Sequence, residues 1–277
     1  MAGDGKAIII TPADGLAQYD DLWNQPNYEG ASSSPIGGAN WNVKADDKPV
    51  RLTGELTIED AGLVVMRGVE LDGEDAPAKL TVVGHSSLGL FYARLFGPYA
   101  SLDLSDGARV RAENNYFFQN RLPLTSSYRS IASLEGTNYF EDSIDGAIDV
   151  SVGGLVVVKP WDELPLTYAT AEILTNQERE DFTAIRVAGG GIFKVFEGRF
   201  KNDFQRSRVV VKYGHHVLPD GYRGVEVEPG GTLLGAQNMD FLMKNAQDEW
   251  VPLSSGSRIV ASTSRKLGSS GGTSSAL

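Results

Sequence analysis

Ala184-Ile185-Arg186-Val187-Ala188-Gly189-Gly190-Gly191-Ile192 holds the pattern on which the reading of this chain turns. Two apolar residues flank a polar one, a glycine turn follows, and an apolar run resumes. The figure recurs at Leu56-Thr57-Ile58 before Gly62, Leu80-Thr81-Val82 before Gly84, and Leu102-Asp103-Leu104 before Gly107. It returns at Ile148-Asp149-Val150 before Gly153-Gly154 and at Val225-Glu226-Val227 before Gly230-Gly231. Aromatic residues follow several copies, at Phe96, Phe117, Phe200 and Phe241. The first three copies begin roughly 22 to 24 residues apart, inside the period that marks a solenoid.

As a strand, each triplet sends its outer pair inward and its central residue outward. Glycine after the triplet supplies the positive φ of a sharp corner. The apolar runs beyond the corners, such as Leu63-Val64-Val65-Met66 and Leu155-Val156-Val157, form the next face. Strand, corner, strand, corner, with a return to register after about 22 residues, describes one coil of a stacked solenoid. The expected fold is therefore all-β, a single-stranded parallel β-helix with a right-handed path and irregular terminal arms. A helical solenoid would need longer patterns of period 3.6, which are missing.

Three regions follow. Residues 1–49 hold one strand candidate, Ala7 to Thr11, and then a long stretch without periodicity that carries Tyr19, Trp23, Tyr28 and Trp41. Loops of that length are functional or interface-forming, so these aromatics either cap the stack or dock on another subunit. Residues 50–251 form the β-helix, with insertions expected near 159–182 and 202–222. Within the first insertion, residues 171–180 (AEILTNQERE) are the best helix candidate in the chain. Residues 252–277 form a C-terminal arm, rich in Ser and Gly beyond its last strand-like run and expected to be flexible in isolation. It carries Arg265 and Lys266.

Composition narrows the function. The chain has 277 residues, a formal charge of −11, 32 glycines and no cysteine. An acidic surface without a basic stripe speaks against nucleic acid and against anionic membranes. Without cysteine there are no disulfides, thiolate metal sites or cysteine nucleophiles. The first residues lack a signal peptide, and Ala7 to Ile10 is too short to cross a bilayer; synthesis in the cytoplasm without membrane insertion is the expectation. Phosphate-binding loops, nucleophile elbows and zinc-protease motifs are absent. His215 and His216, being adjacent, point to opposite faces of a strand, and His85 sits beside Gly84 at a corner; none reads as a metal ligand. No cofactor is expected.

Carboxylates are the candidates for chemistry. The outward position reads Thr57, Thr81, Asp103, Asp149, Arg186, Glu226. Carboxylates one rung apart would sit near ~5 Å, which suits retaining glycoside hydrolysis, and two rungs apart near ~9–10 Å, at the edge of the inverting range. Asp103 with Asp149, or Asp149 with Glu226 across Arg186, would then form a polysaccharide-cutting site. Asp142, Asp145 and Asp149 are an alternative oxygen-ligand set for calcium. Against both stands a solvated or subunit-facing ladder, in which opposite charges on adjacent rungs simply stabilise the sheet.

The figure Val-x-Val-x-x-Gly-Gly-x-Leu, clearest at residues 225–233 and 185–192, resembles the coils of β-helical phage virion proteins and adhesins over roughly residues 50–241. That group includes tailspikes, some of which degrade polysaccharide, and fibres and surface proteins that do no chemistry; they are commonly trimers. The resemblance implies a non-enzymatic protein at the virion surface, a trimeric capsid decoration that meets other capsid or tail proteins through its arms and has scope to adhere to a host glycan. Trp23, Tyr28, Trp41, Arg186, Arg265 and Lys266 are the candidate interface residues. The alternative is a tail fibre or tailspike depolymerase using Asp103, Asp149 and Glu226.

Overall fold

The computed structural model describes residues 7–10, 50–52, 54–59, 63–160, 168–196 and 206–261. They form three sheets that the chain visits in the same order, coil after coil. The first sheet contains the triplets, in spatial order Leu56–Ile58, Ala78–Val82, Ala100–Leu104, Leu124–Ser126, Ile148–Val150, Thr183–Val187, Arg223–Val227 and Ile259–Ala261. The second runs from Ala7–Ile10 through Leu63–Arg67, Ser87–Phe91, Arg109–Glu113, Ile131–Glu135, Leu155–Val158 and Ile192–Val195 to Thr232–Leu234. The third runs from Val50–Leu52 through Val69–Asp72, Arg94–Phe96, Tyr116–Phe118, Thr137–Glu141, Tyr168–Thr175 and Arg206–Tyr213 to Met239–Lys244. All these pairings are parallel, as in a β-helix or solenoid; Trp250–Pro252 alone joins the third sheet antiparallel, at its end. No α-helix occurs among the described residues.

The triplet rule holds residue by residue. In Ala100–Leu104, Leu102 and Leu104 are buried and Asp103 is half-buried; Ile148 and Val150 flank Asp149 in the same way. Because the strands are parallel and in register, like positions stack. Leu80, Leu102, Leu124, Ile148, Ile185 and Val225 form one inward column. In the third sheet Leu95, Phe117, Phe140, Ile173, Val211 and Phe241 form another, in which the Phe117 and Phe140 rings stack at 4.5 Å and 2°.

Buried polar groups obey the same stacking. Asn115 and Asn138 share a rung position at the corner between the second and third sheets, and both are fully buried. The Asn115 Oδ1 accepts from the Ala93 N–H at 2.8 Å, and its Nδ2 donates to Leu90 O at 3.0 Å and Asn138 Oδ1 at 3.1 Å. Asn138 Nδ2 donates to Ala112 O and Glu135 O at 3.2 and 2.8 Å. Each amide thus ties neighbouring coils together, and burial is tolerated because its donors and acceptor are satisfied.

Two expectations are corrected. Residues 171–180 are not a helix: Tyr168–Thr175 is a strand paired with Thr137–Glu141 on one side and Arg206–Tyr213 on the other. Good helix formers such as Ala171, Glu172 and Leu174 are overridden because a sheet already waits on both sides. The runs expected as insertions accordingly each contain a strand of the third sheet, eight residues long against three to five for the strands before them. The structure also contains a coil that the triplet pattern passes over, Leu124-Thr125-Ser126, between those of Asp103 and Asp149.

Truncating Phe140 to Ala removes a ring packed on all sides and is expected to cost ~3–5 kcal/mol, read as a lowered urea midpoint. Gly191→Ala is expected to cost about 1–3 kcal/mol through overpacking, because a Cβ there would lie 2.3 Å from the Val150 carbonyl oxygen; the same denaturation curve checks it.

Candidate functional site

The outward column of the first sheet runs Thr57, Thr81, Asp103, Thr125, Asp149, Arg186, Glu226 and Val260. Thr125 puts Asp103 and Asp149 two rungs apart, about 9–10 Å along the stack, and the same separation holds for Asp149 and Glu226 across Arg186. Each carboxylate is engaged with neighbours. Asp103 accepts from Thr125 Oγ1 at 2.6 Å and pairs with Lys79 at 2.7 Å. Asp149 accepts from Arg186 Nη1 at 2.9 Å. Glu226 pairs with Arg223 at 3.5 Å and accepts from Thr183 Oγ1 at 3.3 Å. Arg186 also grips Glu228, Nε donating at 2.6 Å and Nη2 at 3.2 Å; this bond first, and then Asp149, raises its affinity for its proton. The ladder is a run of lateral ion pairs, worth little individually because they are part-exposed, and the three carboxylates do not converge on one point.

The calcium set is not assembled. Asp142 Oδ1 accepts from both the Asn176 backbone N–H and its side-chain amide at 2.9 Å, Asp145 pairs with Arg121 at 3.1 Å and with Arg179, and Asp149 faces Arg186. No group of three or more His, Asp or Glu among the described residues is placed to hold a metal ion. Trp23, Tyr28, Trp41, Arg265 and Lys266 lie outside the described residues.

The corner between the first and second sheets is more distinctive. Five successive coils make the same four-residue turn, closed by backbone hydrogen bonds from Ala108 to Ser105, Ser130 to Ser127, Gly154 to Ser151, Gly191 to Ala188 and Gly231 to Glu228. The central pairs are Asp106-Gly107, Tyr128-Arg129, Val152-Gly153, Gly189-Gly190 and Pro229-Gly230. In the first four, both residues have positive φ, which glycine adopts freely. Tyr128 (φ 47°) and Arg129 (φ 64°) form the one pair of the five without glycine, and Val152 (φ 47°) is β-branched. A left-handed conformation costs such residues roughly 1–2 kcal/mol each. The turns nevertheless stay in register: Gly107 N–H donates to Tyr128 O, and Tyr128 N–H to Val152 O, both at 3.0 Å. On this column His85, Asp106, Gly107, Tyr128, Arg129 and Val152 line a concavity of about 500 Å³. Tyr128 and Val152 are 56% and 48% exposed.

A second cluster, not singled out from the sequence, lies where four interior strands of the second sheet end. Arg67, Phe91, Glu113 and Glu135 occupy one outward column. The Arg67 and Arg111 guanidinium groups each lie 5.6 Å from the centre of the Phe91 ring. Arg111 bridges the two carboxylates, at 3.2 Å to Glu113 and 2.8 Å to Glu135, and Lys159 reaches Glu135 at 3.5 Å. Here two carboxylates do stand one rung apart, and burial pushes the Glu113 carboxyl above its usual value, with Arg111 opposing and Glu135 reinforcing the shift. The signal was the 22-residue spacing of Glu113 and Glu135, each one residue before a left-handed corner at Asn114 and Gly136. With Arg111 spanning both acids, the arrangement is a part-buried ion network between coils. Comparison with protein families, curated proteins and solved structures finds no match for the chain.

Glu113 makes stability depend on pH. Its carboxyl is raised from 4.5 in the folded state, so below that pH both states keep the proton. Above it the unfolded chain releases the proton first, and stability falls until the folded carboxyl has ionised as well. Wild type is therefore expected to lose stability relative to Glu113→Gln as pH rises through this window, measured as the difference between their urea midpoints.

Proposed function

We propose that the chain closes into a right-handed, single-stranded parallel β-helix and serves as a non-enzymatic structural protein of a phage virion, a homotrimeric decoration of the capsid surface with a role in host adhesion. The observation that carries the non-enzymatic reading is the charge arrangement on the outward ladder. Asp103 and Asp149 each face a cation from an adjacent strand and Glu226 the Thr183 hydroxyl, an arrangement that stiffens a stack and offers no acid and base converging on a substrate. The virion assignment rests on the resemblance of residues 225–233 and 185–192 to β-helical virion coils. A net charge of −11 fits a surface protein that must not adhere to nucleic acid.

In this reading Trp23, Tyr28 and Trp41 in the N-terminal segment and Arg265 and Lys266 in the C-terminal one meet capsid or tail proteins, while Arg186, paired with Asp149 and Glu228 in the chain itself, faces a neighbouring subunit from the ladder. A trimer would cover flanks and sheet edges that a single solenoid leaves open. The competing reading is a tail fibre or tailspike that cuts polysaccharide with Asp103, Asp149 and Glu226.

Incubation with capsular polysaccharide separates the two: the expected result is no new reducing ends and no unsaturated product, and either product would overturn the structural reading. Deleting residues 262–277 is expected to leave folded trimers, seen by light scattering, that attach poorly to particles; undiminished attachment would refute the docking role of that segment.

A further inference from the structure

We infer that the concavity on the turn column, between His85 and Val152, binds a saccharide bearing a carboxylate, with Arg129 holding the acid and Tyr128 covering an apolar sugar face. This deepens the adhesion role just proposed, although its test needs no particle and so can fail separately.

Four independent observations meet at this place. First, the pair Tyr128-Arg129 adopts a doubly left-handed turn that the same column makes with Gly189-Gly190 two coils further on. Residues held in sparsely populated backbone conformations gather at ligand clamps; here the strain delivers two large side chains to the tip of a turn where glycine would fold more easily. Second, Tyr128 is 56% exposed, as the residue of an aromatic sugar platform must be. Third, Arg129 has neither an ion pair nor a side-chain hydrogen bond among the described residues, and neither has the exposed Arg109 at the start of the strand beyond Gly107. Arg94, Arg121, Arg179, Arg186, Arg208 and Arg223 all pair with carboxylates. Arg129 thus brings an uncompensated positive charge to the rim of the concavity. Fourth, the concavity of about 500 Å³ falls within the roughly 300–1,000 Å³ of small-ligand sites.

The lining selects the class. A guanidinium fork matches a carboxylate in two parallel hydrogen bonds. Asp106 would repel a bare polyanion, but its carboxylate accepts from sugar hydroxyls, and His85 offers a ring nitrogen as donor or acceptor. One negative charge among several hydroxyls on a ring with an apolar face satisfies all of these, whereas a nucleic acid or a phosphorylated lipid surface would place further charge against Asp106.

The test is titration calorimetry of the full chain with two probes, a glucuronate-terminated and a sialate-terminated trisaccharide, each beside its analogue with the carboxylate reduced to the alcohol. Saturable binding of at least one acidic probe is expected, weakened about tenfold or more in the reduced analogue, as for loss of a charge-assisted bond. Arg129→Gln, with an unchanged unfolding midpoint, should abolish that preference. The double change Tyr128→Gly with Arg129→Gly should raise the unfolding midpoint, by relieving the turn, and eliminate binding. No binding of either acidic probe, equal binding of the reduced analogues, or undiminished binding by the double variant would overturn the inference.

Discussion

The constraint on which everything else depends is the parallel, in-register ladder. A strand in the middle of each sheet gives its backbone hydrogen bonds to the coil before and the coil after, so every coil must return the same residue to the same height. Side chains are then obliged to stack on their counterparts. Apolar columns such as Leu102-Leu124-Ile148-Ile185 follow directly, as does the face-to-face packing of Phe117 on Phe140. The buried amides of Asn115 and Asn138 are acceptable only because each finds a partner on an adjacent rung.

The same rule shapes the charged exterior. Like would stack on like, and like charges at rung spacing repel. The first sheet avoids this by interposing Thr125 between Asp103 and Asp149, and Arg186 between Asp149 and Glu226. The second sheet brings Glu113 and Glu135 together without a spacer and compensates with Arg111 and Lys159. The residual tension remains in the raised Glu113 carboxyl. Ion pairs on this surface thus tie neighbouring coils together in register.

The turns escape that rule. In four of the five the backbone passes through a left-handed pair, and the tip side chains of Tyr128 and Val152 are exposed. Glycine is the least strained solution, and Gly189-Gly190 adopts it. Tyr128-Arg129 does not, and the stack around it supplies the rigidity that keeps such a turn in place. A stiff column with one chemically loaded corner is a sound geometry for recognition, since little is lost in ordering it on binding.

The sequence by itself determined the strand triplets, their inward and outward sides, the glycine corners and the lateral partnership of Asp149 with Arg186, because a period-2 pattern repeated at coil spacing leaves few other ways to bury the apolar pairs. It concealed the coil at Leu124-Thr125-Ser126, since the corner that follows is made by Tyr128-Arg129 and carries no glycine to announce it. It misdirected the reading of residues 171–180, where local helix preference is real but loses to the two strands on either side. Only the tertiary structure decided that the described residues form three sheets, that Glu113 and Glu135 stand on adjacent rungs, and that His85, Asp106, Tyr128 and Arg129 share one hollow. Those residues come from three successive coils, and their proximity exists only once the rungs are stacked, a separation of about 22 residues in sequence becoming one strand spacing of ~5 Å in space.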